Sequence, residues 1–121
     1  MATLTPTLTL SSTDATADSL SITVTDSLTI NEPAVNMARA SILHTGATNI
    51  LTAADNTSIT YVYLKNLDTT NIITIKIDDA TAFVDLNPGE FAFMPLKGAV
   101  GLEAQANTAT CKLEYGYWTK G

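Results

Sequence analysis

"ATLTPTLTLSSTDATADSLSITVTDSLTI" runs from Ala2 to Ile30, and its reading decides the fold class: leader, signal segment or strand. The period is two. Leu20, Ile22 and Val24 fall on one face and Ser21, Thr23 and Thr25 on the other, with Leu8 and Leu10 continuing the alternation upstream. Threonine is β-branched and suits a pleated surface better than a helix. Pro6 confines the first strand to an edge or a terminal arm. The stretch therefore predicts two strands around the turn "SSTDATAD" (Ser11–Asp18). A secretory signal is not expected, because the first basic residue is Arg39 and no basic start precedes an apolar run.

Outward from this opening, strand signals arrive at short spacings. They are "MARASILH" (Met37–His44), "TNILTA" (Thr48–Ala53), "SITYVYLKN" (Ser58–Asn66), "NIITIKID" (Asn71–Asp78), "AFVDL" (Ala82–Leu86), "EFAFMPL" (Glu90–Leu96), "VGLEAQA" (Val100–Ala106) and "ATCKLEYGYW" (Ala109–Trp118). Ser58–Asn66 is apolar on both faces, as in a central strand, and Ile73, Ile75 and Ile77 form the clearest core face. Asn87-Pro88-Gly89-Glu90 has Pro and Gly where a type II turn wants them. Helical periodicity is missing, apart from a turn near "NEPAVNMARA". About eight to ten short strands with regular turn signals predict one all-β domain over residues 1–121, an antiparallel β-sandwich, with residues 1–10 as an N-terminal arm or edge strand. At 121 residues the chain is long enough to bury a core without staples.

With a formal charge of −6 and six scattered basic residues, the chain is not expected to bind nucleic acid. The longest apolar runs are too short for a membrane helix, so no membrane partner is expected. Catalytic chemistry is sparse. His44 is the sole histidine and reads as a surface or turn residue; no serine has a nucleophile-elbow context. One His and one Cys are too few for a structural zinc site. Cys111 reads as a buried, inert thiol, which suits folding in a reducing cytoplasm. Asp78, Asp79 and Asp85 lack the alternating pattern of a calcium loop. Glu90, Glu103 and Glu114 lie on separate strands, where a paired-carboxylate site needs two brought together. No cofactor, metal or enzymatic activity is expected. The aromatics Tyr61, Tyr63, Tyr115 and Tyr117 read as core or subunit interface. Trp118, with Lys112 and Glu114 on its face, is the one cluster suited to a sugar, and it equally suits a subunit contact.

"NPGEFAFMP" resembles the Pro-Gly turn of cupin barrels, but the second histidine of a metal-binding cupin is missing. Taken together, "YVYLKNLDTTNIITIKI", "LNPGEFAFMPL" and "CKLEYGYWT" resemble small jelly-roll-like virion proteins of tailed bacteriophages, and the leader is similar in style to marine phage structural proteins. The resemblance covers about Leu4 to Thr119 and lies in the order of strands and turns. It implies a non-enzymatic capsid decoration (cement) protein, made in the host cytoplasm and placed on the outer capsid surface. Its partners would be the major capsid protein and itself, as a homotrimer burying Trp118 and one face of 58–66. A tail, neck or fibre-attachment protein is the alternative within that class, and a carbohydrate-binding β-sandwich the alternative outside it. The expected interface residues are Leu4, Pro6, Leu8, Leu10 and Trp118, with Ala2–Leu10 adding to a sheet of a shell protein or of a sister subunit.

Overall fold

The computed structural model describes residues 2–32, 37–52, 59–77 and 81–120, with backbone alone for residues 31 and 32. Among these residues the regular structure is entirely strand: β1 (Ala2–Leu4), β2 (Thr7–Ser12), β3 (Leu20–Thr25), β4 (Leu28–Glu32), β5 (Ala38–Ile42), β6 (Thr48–Leu51), β7 (Thr60–Asn66), β8 (Ile73–Ile77), β9 (Thr81–Leu86), β10 (Phe91–Leu96), β11 (Leu102–Ala106) and β12 (Cys111–Lys120). Ten of these are the strands that alternation and turn signals predict. The other two are β1 and β4. Alternation runs unbroken through "LSITVTDSLTI", but the chain changes sheets at Asp26-Ser27. Part of the predicted turn near "NEPAVNMARA" lies at residues 33–36, outside the described residues, and Ala38–Ala40 within it is strand.

The last eight strands pair in a nested series: β5 with β12, β6 with β11, β7 with β10, and β8 with β9, all antiparallel. Rolling such a series over itself gives two facing sheets. One contains β5, β12, β7 and β10; the other has the order β6-β11-β8-β9. This is the connectivity of a jelly roll, and the domain is an antiparallel β-sandwich. β12 is the spine. Its Cys111–Tyr115 half pairs with β5, its Thr119–Lys120 end pairs with β4, and its other edge pairs with β7 from Leu113 to Thr119. β1 adds beyond β4, completing six strands. β2 and β3 form a two-stranded ribbon of their own.

The core lies between the facing sheets. Ile42, Val62, Leu64, Cys111 and Leu113 come from one, and Leu51, Ile73, Ile75, Leu102 and Ala104 from the other, each essentially without solvent contact. Burying each Leu or Ile is worth about 1.5–3 kcal/mol relative to leaving it exposed. Ile73 and Ile75 sit where the sequence places them, while Ile77, at the strand end, is half-buried. In β7 the alternation is strict: Thr60, Val62, Leu64 and Asn66 point inward, and Tyr61, Tyr63 and Lys65 outward. The two tyrosines are therefore on the outer face, not in the core.

One inward residue of β7 is polar. Asn66 is fully buried and fully used. Its Nδ2 donates to the carbonyls of Asn71 and Leu86 (2.9 Å each), and its Oδ1 accepts from the Asp68 amide (2.9 Å). Its own amide donates to Glu90 O (3.0 Å), and its carbonyl accepts from Gly89 N (3.1 Å). Since Leu86 ends β9, this amide joins one sheet to the other. Around it the loops are shaped by carboxylates. Asp68 Oδ2 accepts from the amides of Thr70 (2.9 Å) and Asn71 (2.6 Å). Glu90 accepts from the Asn87 amide (2.7 Å) and Nδ2 (2.8 Å). Gly89 takes φ +79°, and Glu90 N closes the turn onto Asn87 O at 2.9 Å, as a Pro-Gly turn of this type requires.

Asn66→Ala takes the Asn66 side chain away from two carbonyls and an amide, and is expected to cost about 2–4 kcal/mol in urea unfolding. Thr60 is the contrasting case: its buried Oγ1 has no hydrogen-bond partner among the described residues. Thr60→Val is accordingly expected to be neutral or to stabilise by up to about 1 kcal/mol in the same assay. Acid titration provides a second test. Backbone amides at Asn71 and Thr70 hold the Asp68 carboxyl below its usual range, and Asn87 does the same for Glu90. A carboxyl depressed in the folded state stabilises above its unfolded pKa and loses that contribution as pH falls through the folded value. Wild-type stability should fall below about pH 4, and Asp68→Asn/Glu90→Gln should flatten that fall in thermal melts.

Candidate functional site

The reactive side chains are dispersed. Inward Leu102, Ala104 and Ala106 turn Glu103 to the outer face of the four-stranded side, while inward Leu113 turns Glu114 to the outer face of the other sheet. These two carboxylates thus stand on opposite sides of the sandwich. Glu90 is committed to its turn. His44 is exposed, and its carbonyl accepts from Gln105 Nε2 (3.0 Å), while Gln105 Oε1 accepts from Lys76 Nζ (2.6 Å). Among the described residues no three His, Cys, Asp or Glu side chains gather as metal ligands. Asp78 and Asp79 lie outside the described residues, and Asp85 accepts from Thr74 Oγ1 (2.8 Å). Cys111 is buried; desolvation first, then the charge of Asp68, raises its thiol pKa and keeps it protonated.

The surface is more informative where it is apolar. On the ribbon, Leu8 pairs with Val24 and Leu10 with Ile22, so all four side chains share one face. They are 46%, 56%, 45% and 41% exposed respectively. The opposite face carries only Thr and Ser, from Thr7, Thr9 and Ser11 on β2 and from Ser21, Thr23 and Thr25 on β3. The base is tied down by the Asp26 amide donating to Pro6 O (3.1 Å).

Beside the ribbon base lies an aromatic platform on the outer face of β12, β7 and β10. Cross-strand register places Trp118 next to Tyr61 and Tyr61 next to Pro95, with Tyr63 next to Phe93 in the following row. Tyr61 and Phe93 stack with ring centroids 5.9 Å apart, and Trp118 tilts against Phe93 at 6.5 Å. Phe91 is 64% exposed. A groove of about 730 Å³ runs between platform and ribbon, walled by Pro6, Leu8 and Val24 on one side and Tyr61, Phe91 and Phe93 on the other.

The five residues marked by sequence are thereby divided. Pro6 and Leu8 line the groove, Leu10 stands farther along the same ribbon face, and Trp118 belongs to the platform. Leu4 instead lies half-buried in β1, paired with Leu28. Sequence reasoning missed Phe91 and Phe93. The signal was present, since in "EFAFMPL" both phenylalanines share a parity with Pro95, the residue that marks an edge strand. Glu114, the proposed polar neighbour of Trp118 for a sugar, is already engaged by Arg39 Nε (3.2 Å) and by the Tyr63 hydroxyl (3.3 Å). That contact, together with desolvation, raises the Tyr63 pKa, desolvation being the larger cause.

Compared with known proteins, the chain matches no family model, no curated protein and no solved structure.

Gly116 positions the indole. It is buried on the platform face, and a Cβ there would sit 2.7 Å from Met37 Sδ and 3.1 Å from Trp118 Cη2. Gly116→Val should therefore lift both side chains off β12. Trp118 is the only tryptophan, so the expected outcome is a red-shifted emission maximum under conditions where circular dichroism still reports the β-sandwich.

Proposed function

We propose that this chain is a non-enzymatic structural protein of a tailed-phage virion, a capsid decoration protein that sits on the outer shell surface and clamps neighbouring major capsid protein subunits. Its order of strands and turns resembles such proteins, and it would be made in the host cytoplasm. The observation that carries the reading is the amount of binding surface held outside the core. β1 is a three-residue strand at the margin of the six-stranded sheet, pairing with β4 along one edge. Its other edge has no strand beside it among the described residues, and such an edge recruits an extended segment through main-chain hydrogen bonds. Clamping requires surface of this kind and no reactive group, and the dispersed His, Cys and carboxylates fit that requirement.

Quantitative mass spectrometry of purified particles of the encoding virus tests the reading. A copy number near one per major shell subunit, or a simple fraction of it, is expected. A handful of copies per particle would move the protein to the tail, neck or fibre attachment, and complete absence would remove it from the virion. In a particle-binding assay, deletion of residues 2–4 should abolish shell occupancy while circular dichroism still reports the β-sandwich, at a melting temperature lowered by the loss of cover over Leu28 and Ile30. Undiminished occupancy would sink the role given to β1.

A further inference from the structure

We propose that two copies of this chain exchange ribbons, each laying the Leu8/Leu10/Ile22/Val24 face of its ribbon on the aromatic platform of the other. The inference does not depend on the virion reading, since it rests on surfaces of the chain alone.

Three observations select a second copy as the occupant. First, a two-stranded ribbon with one apolar face is marginal in water unless that face is covered, and here four of its five apolar pairing residues are exposed, Leu20 at the turn end being half-buried. The platform offers an array of matching spacing. Leu8 and Leu10 stand about 7 Å apart along β2, as Phe91 and Phe93 do along β10.

Second, the charges are complementary. The ribbon and its turn carry Asp14 and Asp18, Asp26 follows at the base, and no basic residue precedes Arg39. The outer face bearing the platform carries Arg39, Lys65 and Lys112 against one carboxylate, Glu114, which pairs with Arg39, so its excess positive charge lies at Lys112 and at Lys65, across from Phe91. An acidic ribbon tip on a basic rim favours approach of one copy's ribbon to another copy's sheet.

Third, the area decides the symmetry. The four aliphatic side chains and two phenylalanines together offer about 450 Å² of apolar surface. A single ribbon on a single platform falls short of the roughly 1,000 Å² that a specific interface needs. A reciprocal exchange makes the contact twice across one two-fold interface, and with the Thr and Lys rim it passes that threshold. A head-to-tail ring of three gives each neighbouring pair only one contact. The area thus favours a two-fold pair over the trimer implied by the resemblance.

Sedimentation equilibrium of the full chain tests the proposal. Wild type is expected to dimerise, more weakly as salt rises. Leu10→Ser/Ile22→Ser on the ribbon, or Phe91→Ser/Lys65→Glu on the platform, should each weaken dimerisation by roughly a hundredfold. Circular dichroism of both variants should remain that of the wild type, because these side chains lie outside the core. Mixing the two variants is diagnostic. One intact ribbon and one intact platform meet in the mixed pair, so the mixture should associate more tightly than either variant alone and less tightly than wild type. Wild type that stays monomeric would overturn the proposal, as would a mixture no tighter than its components.

Discussion

The buried amide of Asn66 is the constraint on which the two-sheet arrangement depends. Apolar burial alone specifies the alignment of facing sheets loosely, because cores that keep their volume and patterning lose uniqueness before they lose stability. A side chain that must place two donors and one acceptor within hydrogen-bond distance admits far fewer arrangements. By donating to Leu86 O from β7, Asn66 links the end of β9 to the six-stranded sheet. By donating to Asn71 O and accepting from Asp68 N, it shapes the loop that carries the chain across. Its main chain holds the Asn87–Glu90 turn through Glu90 and Gly89. The nested pairs β7·β10 and β8·β9 are thereby anchored at one corner, and β12 lies along β7 from Leu113 onward in register with that corner.

Placing β7 and β12 in this way also fixes what the outer face presents. Inward Val62, Leu64 and Leu113 require outward Tyr61, Tyr63 and Glu114, because strand parity leaves no choice. The same residues that build the core thus set out the aromatic platform, and Gly116 provides the space into which the Trp118 indole and Met37 fold. A larger residue in that row would push the indole away from Phe93. The platform is a consequence of the core and needs no separate scaffold.

Much of this was legible in the sequence. Period-two alternation and turn residues located ten strands, the Ile73 and Ile75 core face, the buried thiol and the Asn87–Glu90 turn, all of which depend on near neighbours in the chain. What escaped depends on distant ones. Leu20, Ile22 and Val24 share parity with Leu28 and Ile30, yet the latter two are buried and Ile22 and Val24 are exposed. The difference is made by β12 and β1, which flank β4 and leave β3 with β2 alone. Nothing near Asn66 in the chain marks it as a buried tie between sheets, because its partners lie as far as 20 residues away. Tyr61 and Tyr63 read as core or subunit interface for a related reason: apolar character on both faces of a strand marks burial equally well as a surface kept for contact, and strand parity removes the core alternative.

That ambiguity bears on how the chain divides its apolar residues. A jelly roll of this size satisfies its core with Leu, Ile and Val from two inner faces, and apolar residues beyond that number lower solubility unless something covers them. Among the described residues, six of the ten exposed large apolar side chains, Leu8, Leu10, Ile22, Val24, Phe91 and Phe93, lie on the ribbon and the platform beside it, and the acidic residues of the ribbon favour solubility. The Thr and Ser face of the ribbon adds to this, because an exposed two-stranded ribbon that was apolar on both faces would invite stacking without limit. With one apolar face and one hydroxyl-bearing face, the ribbon can be covered once. A surface that accepts one partner and then stops is what a closed assembly requires, and a core residue has no use for that asymmetry.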